Sequence, residues 1–474
     1  VRGMLRDFAD EVERLAGRGV GGFPELVRLS LARARESLAA TREQMDELRR
    51  ADVVDAGAAG FVALLEGVSE YLDTGTLDES APLPVAEHDE HGHAAGHAES
   101  LAHRWCTECM VTGDTIDRRR LRERLAELGS SLVVAGTHRK VRVHVHVAEP
   151  AEVFRIAAEY GAVSAQKADD MRRQQEAAHH AARRRVAIVA DSAADIPDEE
   201  LERLDIHLVP VRVSFGEQSY LDKVSLTPAQ FYELLRTSPV PPKTSQPPPG
   251  DFRRLFEFLA SHYESVVSVN VAARSSGTKQ AAEAAAARIA NARVHVVDSG
   301  NASLGQGLLA IHAAECAHAG MDAEAIVASV RRMVPRTRTF GCLATLDYGI
   351  RGGRLPKIAK PIAEWLRLTP LIANLPDLRV GLGGFLPVRT NLRPKFARFV
   401  RRRLDPAKRY RLLIGHANAP EEGQRLHDEI VAGLGNVERS WVVPLGTALG
   451  AHGGPGMLVV GYQELDELAP GAAR

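Results

Sequence analysis

Apolar residues in the first 75 positions recur at the three-and-four spacing of a helix face. Val27, Leu31, Ala34, Leu38, Met45 and Leu48 form one stripe, and Phe61, Leu64, Leu65 and Val68 a second. Residues 53–60 between them read as a turn of small side chains that lets helices approach closely. Past residue 100 the period shortens. In residues 101–178 the pattern predicts a helix over 121–128, strands over 132–135 and 142–147, and a helix over 151–160. The very polar stretch 167–180 reads as a helical connector. From 185 to 463, Val-rich and Ile-rich runs alternate with helical patterns. Strands are predicted over 186–190, 208–213, 265–271, 293–297, 339–345, 411–414, 440–443 and 457–460, with helices over 282–290 and 304–317 among others. The whole is an α/β chain with a helical N-terminal part. Residues 76–100 mix proline, glycine and acidic residues with His88, His91, His93 and His97. They read as a tether, with metal capture as the alternative.

A chain of 474 residues has room for two to four domains. Lys plus Arg is 60, Asp plus Glu is 61, and aromatics are 5%. That balance argues against a nucleic-acid partner, which would call for a basic excess or stacking aromatics. Only four cysteines occur, Cys106, Cys109, Cys316 and Cys342. So few do not make a disulfide framework, and they fit a reducing cytoplasm. No apolar run approaches the roughly 18 residues that span a bilayer, and the N-terminus is charged from Arg2. The expectation is a soluble cytoplasmic protein without stable membrane insertion.

Hydroxyl-bearing turns carry the chemistry. Lys243-Thr244-Ser245-Gln246 runs into Pro247-Pro248-Pro249, whose rings hold an extended path. Asp251 then reads as the N-cap of a helix over 252–263. Thr244 and Ser245 therefore lie on a stiff loop beside a positive helix end, a setting for an anionic oxygen group. The strand 186–190 ends at Asp191-Ser192-Ala193-Ala194-Asp195, at the sheet edge where ligands bind in open α/β folds. Ser192 or Asp195 could equally cap the next helix. The strand 265–271 ends at Arg274-Ser275-Ser276-Gly277-Thr278, where hydroxyls and helix-start N–H groups make an anion site. It is not a P-loop, since no G-x-x-x-x-G-K-[ST] is present. A third strand ends at Asp298-Ser299-Gly300-Asn301, and the three turns together suggest one polar mouth. Arg351-Gly352-Gly353-Arg354 and His452-Gly453-Gly454-Pro455-Gly456 are glycine-rich turns whose Arg354 and His452 either face an anion or lie in solvent.

Taken in order, these motifs resemble the DegV family of fatty-acid-binding proteins over residues 185–463. The resemblance implies two α/β lobes, about 185–335 and 336–463, with a fatty acid buried between them. It implies a carboxylate held by Thr244 and Ser276, with Ser245, Ser275, Gly277, Thr278, Asp191 and Ser192 around the head group and Arg354 and His452 near it. Ala193 stands where the family commonly has threonine. In fatty acid kinase systems such a protein presents the acid to a kinase partner and holds the acyl phosphate, so kinase and acyltransferase partners are implied.

The N-terminal part resembles the kinase itself. Asp55-Ala56-Gly57-Ala58-Ala59-Gly60 is similar to the last helices of a dihydroxyacetone-kinase-like nucleotide domain. Trp105-Cys106-Thr107-Glu108 and Val143-His144-Val145-His146 are similar to the kinase's middle domain. The resemblance implies a zinc site at Cys106, His144 and His146. The residues agree, because positions two apart in a strand share a face and a thiolate with two imidazoles suits zinc. Cys109 could fill the fourth position, and two exposed edge-strand histidines are the alternative reading. The family's aspartate-rich magnesium-ATP motif has no counterpart before residue 50, so ATP is not expected to bind this chain alone. That leaves a degenerate fusion or a reading frame started too late.

The expected function is to bind a long-chain fatty acid and present its carboxylate for phosphorylation. A lipid or small-polyol kinase completed by a separate ATP-binding part is the alternative. A metal-dependent scaffold that makes a homodimer is a third.

Overall fold

A computed structural model of the chain describes residues 2–20, 22–44, 49, 54–74, 103–173, 185–289, 293–352, 361, 368–387 and 391–465. Gly353, Arg354, the His88–His97 tract and residues 174–180 of the expected connector lie outside the described residues. Residues 1–102 and 103–474 form two compact units.

The first unit contains helices Arg2–Gly17, Phe23–Gln44 and Ala56–Thr74. Met4, Leu31, Ala34, Ala58, Val62 and Leu65 pack at their centre. Two expectations are corrected here. Gly57 and Gly60 lie inside the third helix rather than in a turn. Its buried stripe is Ala58, Val62 and Leu65, while Leu64 and Val68 face outward. The start of the third helix is held by Asp55, whose Oδ1 accepts from Ala58 N at 2.7 Å while its own N–H donates to Thr41 Oγ1 at 3.0 Å.

The second unit begins with β1 (Trp105–Thr112), β2 (Gly129–Gly136), β3 (Lys140–Val147) and β4 (Ala162–Asp170), an antiparallel sheet in the order β2-β3-β1-β4. Helices Arg118–Ala126 and Pro150–Ala158 bring Leu121, Leu125, Val153 and Phe154 onto Val111, Val141, Val143 and Val145 of one sheet face. Residues 167–170, expected in a helical connector, are the end of β4. Pairing with β1 imposes the strand on a polar segment, and tertiary context overrides its weak local pattern.

Then follow β5 (Val186–Asp191), β6 (Ile206–Val209), β7 (Arg212–Phe215), β8 (Gln218–Leu221), β9 (Pro242–Ser245), β10 (Ser265–Asn270) and β11 (Arg293–Asp298). A parallel sheet has the order β11-β10-β5-β6, and a small antiparallel sheet the order β8-β7-β9. The single strand expected over 208–213 is two strands in two sheets. Pro210 between them has no N–H for a ladder, and the chain changes sheets there. The helix after the proline run is Pro249–Ala260, capped by Pro248 with Pro249 at its first position. Asp251 is therefore no N-cap. It sits in the first turn, where its carboxylate meets Arg212 at 2.9 Å and Arg254 at 2.7 Å.

The last sheet is mixed and contains β12 (Thr337–Cys342), β13 (Leu368–Asn374), β14 (Val380–Pro387), β15 (Tyr410–His416), β16 (Val437–Pro444) and β17 (Leu458–Glu464), in the order β14-β13-β12-β17-β15-β16. Helix Leu304–His318 lies between this sheet and the parallel one. Leu309, Ile311 and Ala314 pack on Ile188 and Val269, while Leu304 and Leu308 pack with Leu413 and Val459. A helix apolar all round is what a two-sided burial demands. Gly461 makes room for it, since a Cβ there would come within 2.7 Å of Leu304 Cβ.

Candidate functional site

Between the two large sheets lies a cavity of about 540 Å³. Ala193, after β5, and Val271 and Arg274 to Thr278, after β10, line it. The strand order reverses between β5 and β10, and such a switch point opens a crevice at the strand ends. The opposite wall comes from Leu343, Ile372, Val380, Leu449 and Met457. A small apolar extension of about 30 Å³ continues past Ile372, Val380, Leu449 and Met457 toward Gly341 and Val459.

One end of this cavity is polar. Thr244, Ser245, Ser275, Ser276, Gly277, Thr278 and His452 all line it, so most of the residues singled out from sequence meet in one place. Thr244 Oγ1 lies 3.0 Å from His452 Nε2. Ser276 Oγ lies 2.8 Å from Thr278 Oγ1, and the Thr278 N–H at the start of helix Thr278–Ala286 donates to Ser276 Oγ at 3.3 Å. Gln246 joins the two loops, because its side-chain amide lies flat on Gly277. A Cβ at 277 would stand 2.0 Å from Gln246 Oε1, so a larger residue there would push the Gln246 amide aside. Ser275 Oγ accepts from the Val380 N–H at 3.3 Å, a bond from one sheet layer to the other. His452 rides on helix Thr447–Gly453 and packs on Gly352. Arg274 and His452 line the cavity, and no carboxylate does among the described residues.

All three strand ends reach the cavity, the first through Ala193 and the third through Ala302 and Ser303, but the other expected members of the polar mouth lie behind it. Asp191 is fully buried and accepts from Val271 N at 2.8 Å, Gln306 Nε2 at 2.9 Å and Ala193 N at 3.1 Å. Burial pushes its pKa up to about 6, against the pull of those bonds. Ser192 Oγ donates to Asp222 at 2.6 Å and accepts from Val211 N at 2.9 Å. Neither lines the cavity. Asp298 accepts from Ala273 N and Gly300 N at 3.2 and 2.9 Å, and Ser299 is buried in its own turn. These residues shape the strand ends from behind.

On the small sheet, Cys106, His144 and His146 point out from the face opposite its helices, with one ligand atom from each within 4.8 Å of the others. Register explains it, since Cys106 pairs across with His146 and Glu108 with His144. Glu108 Oε1 reaches His144 Nδ1 at 3.1 Å and orients the ring. Burial and then Asp169, the partner of Cys106 on β4, push the Cys106 thiol up, so a bound cation is what would hold it as thiolate. The soft-sulfur and imidazole set, open on one side, fits a zinc ion. Cys109 does not belong to it. Three positions along the strand it faces the core, and burial pushes its thiol up to about 12.

The family model described as "Uncharacterised protein, DegV family" matches residues 185–465. The chain belongs to the DegV family. A second model, for the middle domain of FakA-like fatty acid kinase proteins, matches residues 102–178, ahead of the DegV domain. Protein DegV of Bacillus subtilis is 32% identical over 276 residues, which is 58% of this chain and 97% of that protein. A solved DegV family protein from Thermus thermophilus, titled for fatty acid binding, is 30% identical and covers 59% of this chain and 100% of its own, with a TM-score of 0.54. A stearic-acid-binding protein from Eubacterium ventriosum is 26% identical over 59% of this chain and 98% of its own, also with a TM-score of 0.54.

Within the DegV domain, sequence reasoning missed Gln246 as a bridge, Arg274 as the cation beside the hydroxyls, and Asp222 as a buried acid. Arg274 and Gln246 stood inside the motifs already marked. Asp222 carried no signal, since nothing near it in sequence shows that it meets Thr447. Among the described residues, no helix is long and apolar enough to cross a membrane.

Proposed function

We propose that this chain binds a long-chain fatty acid between the two lobes of its DegV domain and presents the carboxylate for phosphorylation. One observation carries the reading: the interlobe cavity has hydroxyls and a histidine at one end, apolar walls beyond, and no acid in its described lining. A carboxylate taken out of water is costly unless hydrogen-bonded. Thr244, Ser276, Thr278 and the Thr278 N–H offset that cost. A tail of about 15 methylenes gains on the order of 10 kcal/mol from full burial, at about 0.8 kcal/mol each. The fatty-acid-binding relatives support the same ligand class.

In the phosphorylation step a carboxylate oxygen attacks the γ-phosphorus of ATP on a kinase component. The bond to the leaving diphosphate oxygen breaks, and acyl phosphate and ADP result. Arg274 beside the hydroxyls meets the added charge, and an acyltransferase takes the acyl group onward. Cys106, His144 and His146 hold zinc in the middle domain, with a fourth position for another ligand.

Denaturing extraction and mass spectrometry of the purified full chain should release a fatty acid at close to one per protein. Added palmitate should exchange with it. Protein that carries no acid and takes up neither palmitate nor oleate rules the reading out. With a fatty acid kinase nucleotide-binding component and ATP, hydroxylamine should trap the acyl phosphate as a hydroxamate. Its absence with palmitate bound would leave a carrier without the phosphorylation role.

A further inference from the structure

We propose that the turn 221–225 is a positioning relay between the middle domain and the head-group site, with Gln166, Asp222 and Asp195 as positioning residues for His452. This turn is gripped from both sides. On one side stands Gln166 of β4, a buried middle-domain residue. Its Nε2 donates to Ser219 O at 2.5 Å, and its Oε1 accepts from Ser225 Oγ at 3.1 Å. Ser225 Oγ in turn accepts from the Leu221 N–H at 2.6 Å and closes the turn.

On the other side, the same turn holds the start of the helix that carries His452. Asp222 Oδ1 accepts from Thr447 N at 3.0 Å and Thr447 Oγ1 at 2.8 Å. Asp195 Oδ1 accepts from Gly446 N at 2.9 Å. Both carboxylates are buried. N–H groups at a helix start have no acceptor within the helix, so these two acids decide where it begins. Lys223 lies between them, 3.1 Å from Asp195, and donates to Ala194 O at 2.7 Å. Its backbone is left-handed at φ 65°, a conformation that a non-glycine residue keeps only when its surroundings impose it.

Helix Thr447–Gly453 is short and has no slack. A Cβ on Gly450 would stand 2.7 Å from the Tyr232 hydroxyl, which itself donates to Leu445 O at 3.4 Å. A shift at Thr447 is therefore carried to His452, whose Nε2 faces Thr244. Apolar packing would seat such a helix without the desolvation cost of two buried carboxylates. Directional bonds add a set orientation, and they tie it to the residue that the middle domain touches.

The imidazole measurement below does not depend on the ligand, and only the palmitate measurement rests on the fatty-acid reading. The full chain is labelled with 13Cε1-histidine, and the His452 signal is assigned by its loss in His452→Gln. Gln166→Ala and Asp222→Asn should each move that signal and weaken palmitate binding about ten-fold, the scale of one lost hydrogen bond to a charged group. Glu202→Gln, which breaks only the Arg104 and Arg172 ion pairs at the same domain contact, should do neither. An unmoved His452 signal in folded Gln166→Ala overturns the relay. If Asp222→Asn does not fold, Thr447→Val replaces it, and the same absence of a shift counts against the proposal. A shifted signal with palmitate affinity intact supports the relay and removes the head-group reading instead.

Discussion

Among the cavities of nearly equal size in the second unit, two are chemically unlike. The interlobe cavity, about 540 Å³, has Arg274 and His452 in its lining and no carboxylate among the described residues. The cleft between the middle domain and the parallel sheet, about 570 Å³, is lined by Asp169, Asp170, Asp198 and Glu202 beside Arg104, Lys167 and Arg254. Volume alone would not choose between them. The second already satisfies its charges with each other, as in Arg104–Asp170 at 2.5 Å and Lys167–Asp169 at 2.5 Å. It behaves as a polar domain contact. The first keeps hydroxyls, His452 and Arg274, which is 3.7 Å from Asp377, at one end, with Leu343, Ile372, Val380, Leu449 and Met457 along its wall. That asymmetry, rather than size, matches an anion with an apolar tail.

The harshest way to break the comparison is to make the cavities alike. Leu449→Asp puts an unpaired carboxylate into the acid-free chamber and should reduce palmitate affinity by more than about 100-fold, given the cost of an uncompensated buried charge. Isothermal titration of folded protein measures it, and a small loss would mean the tail lies elsewhere. Next, Thr244→Ala with Ser276→Ala removes two half-buried hydroxyl donors, each worth about 0.5–1.5 kcal/mol net once water takes their place. The pair should lower affinity some ten- to 100-fold with the melting temperature nearly unchanged.

A third effect reads the back of the site. Asp191 has a folded-state pKa raised to about 6 from an ordinary 3.8. Between those values the folded chain holds a proton that the unfolded chain has lost, so stability falls as pH rises through the window. The decline amounts to at most about 3 kcal/mol and levels off above the folded value. Denaturant titrations from pH 4 to pH 7 should show it, and Asp191→Asn should flatten it.

Smaller still is the effect of Met457. Its sulfur and methyl lie over Gly453 and Gly341, between the main chamber and the extension. Met457→Ala should shift preference toward longer acids by about 0.8 kcal/mol for each added methylene that finds room. A panel of acids of graded length reads this directly. Least affected should be the response to the metal face. If the cluster holds zinc, Cys106→Ser or His144→Ala should release it by elemental analysis while palmitate affinity changes less than about twofold. Retained metal would point to ligands other than this cluster.

What the chain determined by itself is the local part. Val-rich runs gave the strands at 186 and 265, because parallel strands buried on both faces need continuous apolar sequence. The turns that follow them carried their hydroxyls in view, and Thr244, Ser276 and His452 were named before their meeting could be seen. His144 and His146 shared a face by strand period alone. Only the tertiary structure decided which of these met. Residues 167–170 are a strand because β1 pairs with them, β13 exists despite Pro370 because β12 stands beside it, and β14 despite three glycines because β13 does. Asp191 and Ser192 looked like site residues and are held behind it, and Asp222 looked like nothing and holds the histidine's helix. The physical reason is range. Side-chain period and turn chemistry act over a few residues, whereas Thr244 reaches His452 across 208 positions of sequence. Such contacts are set by how sheets stack, and stacking is not written in any local window.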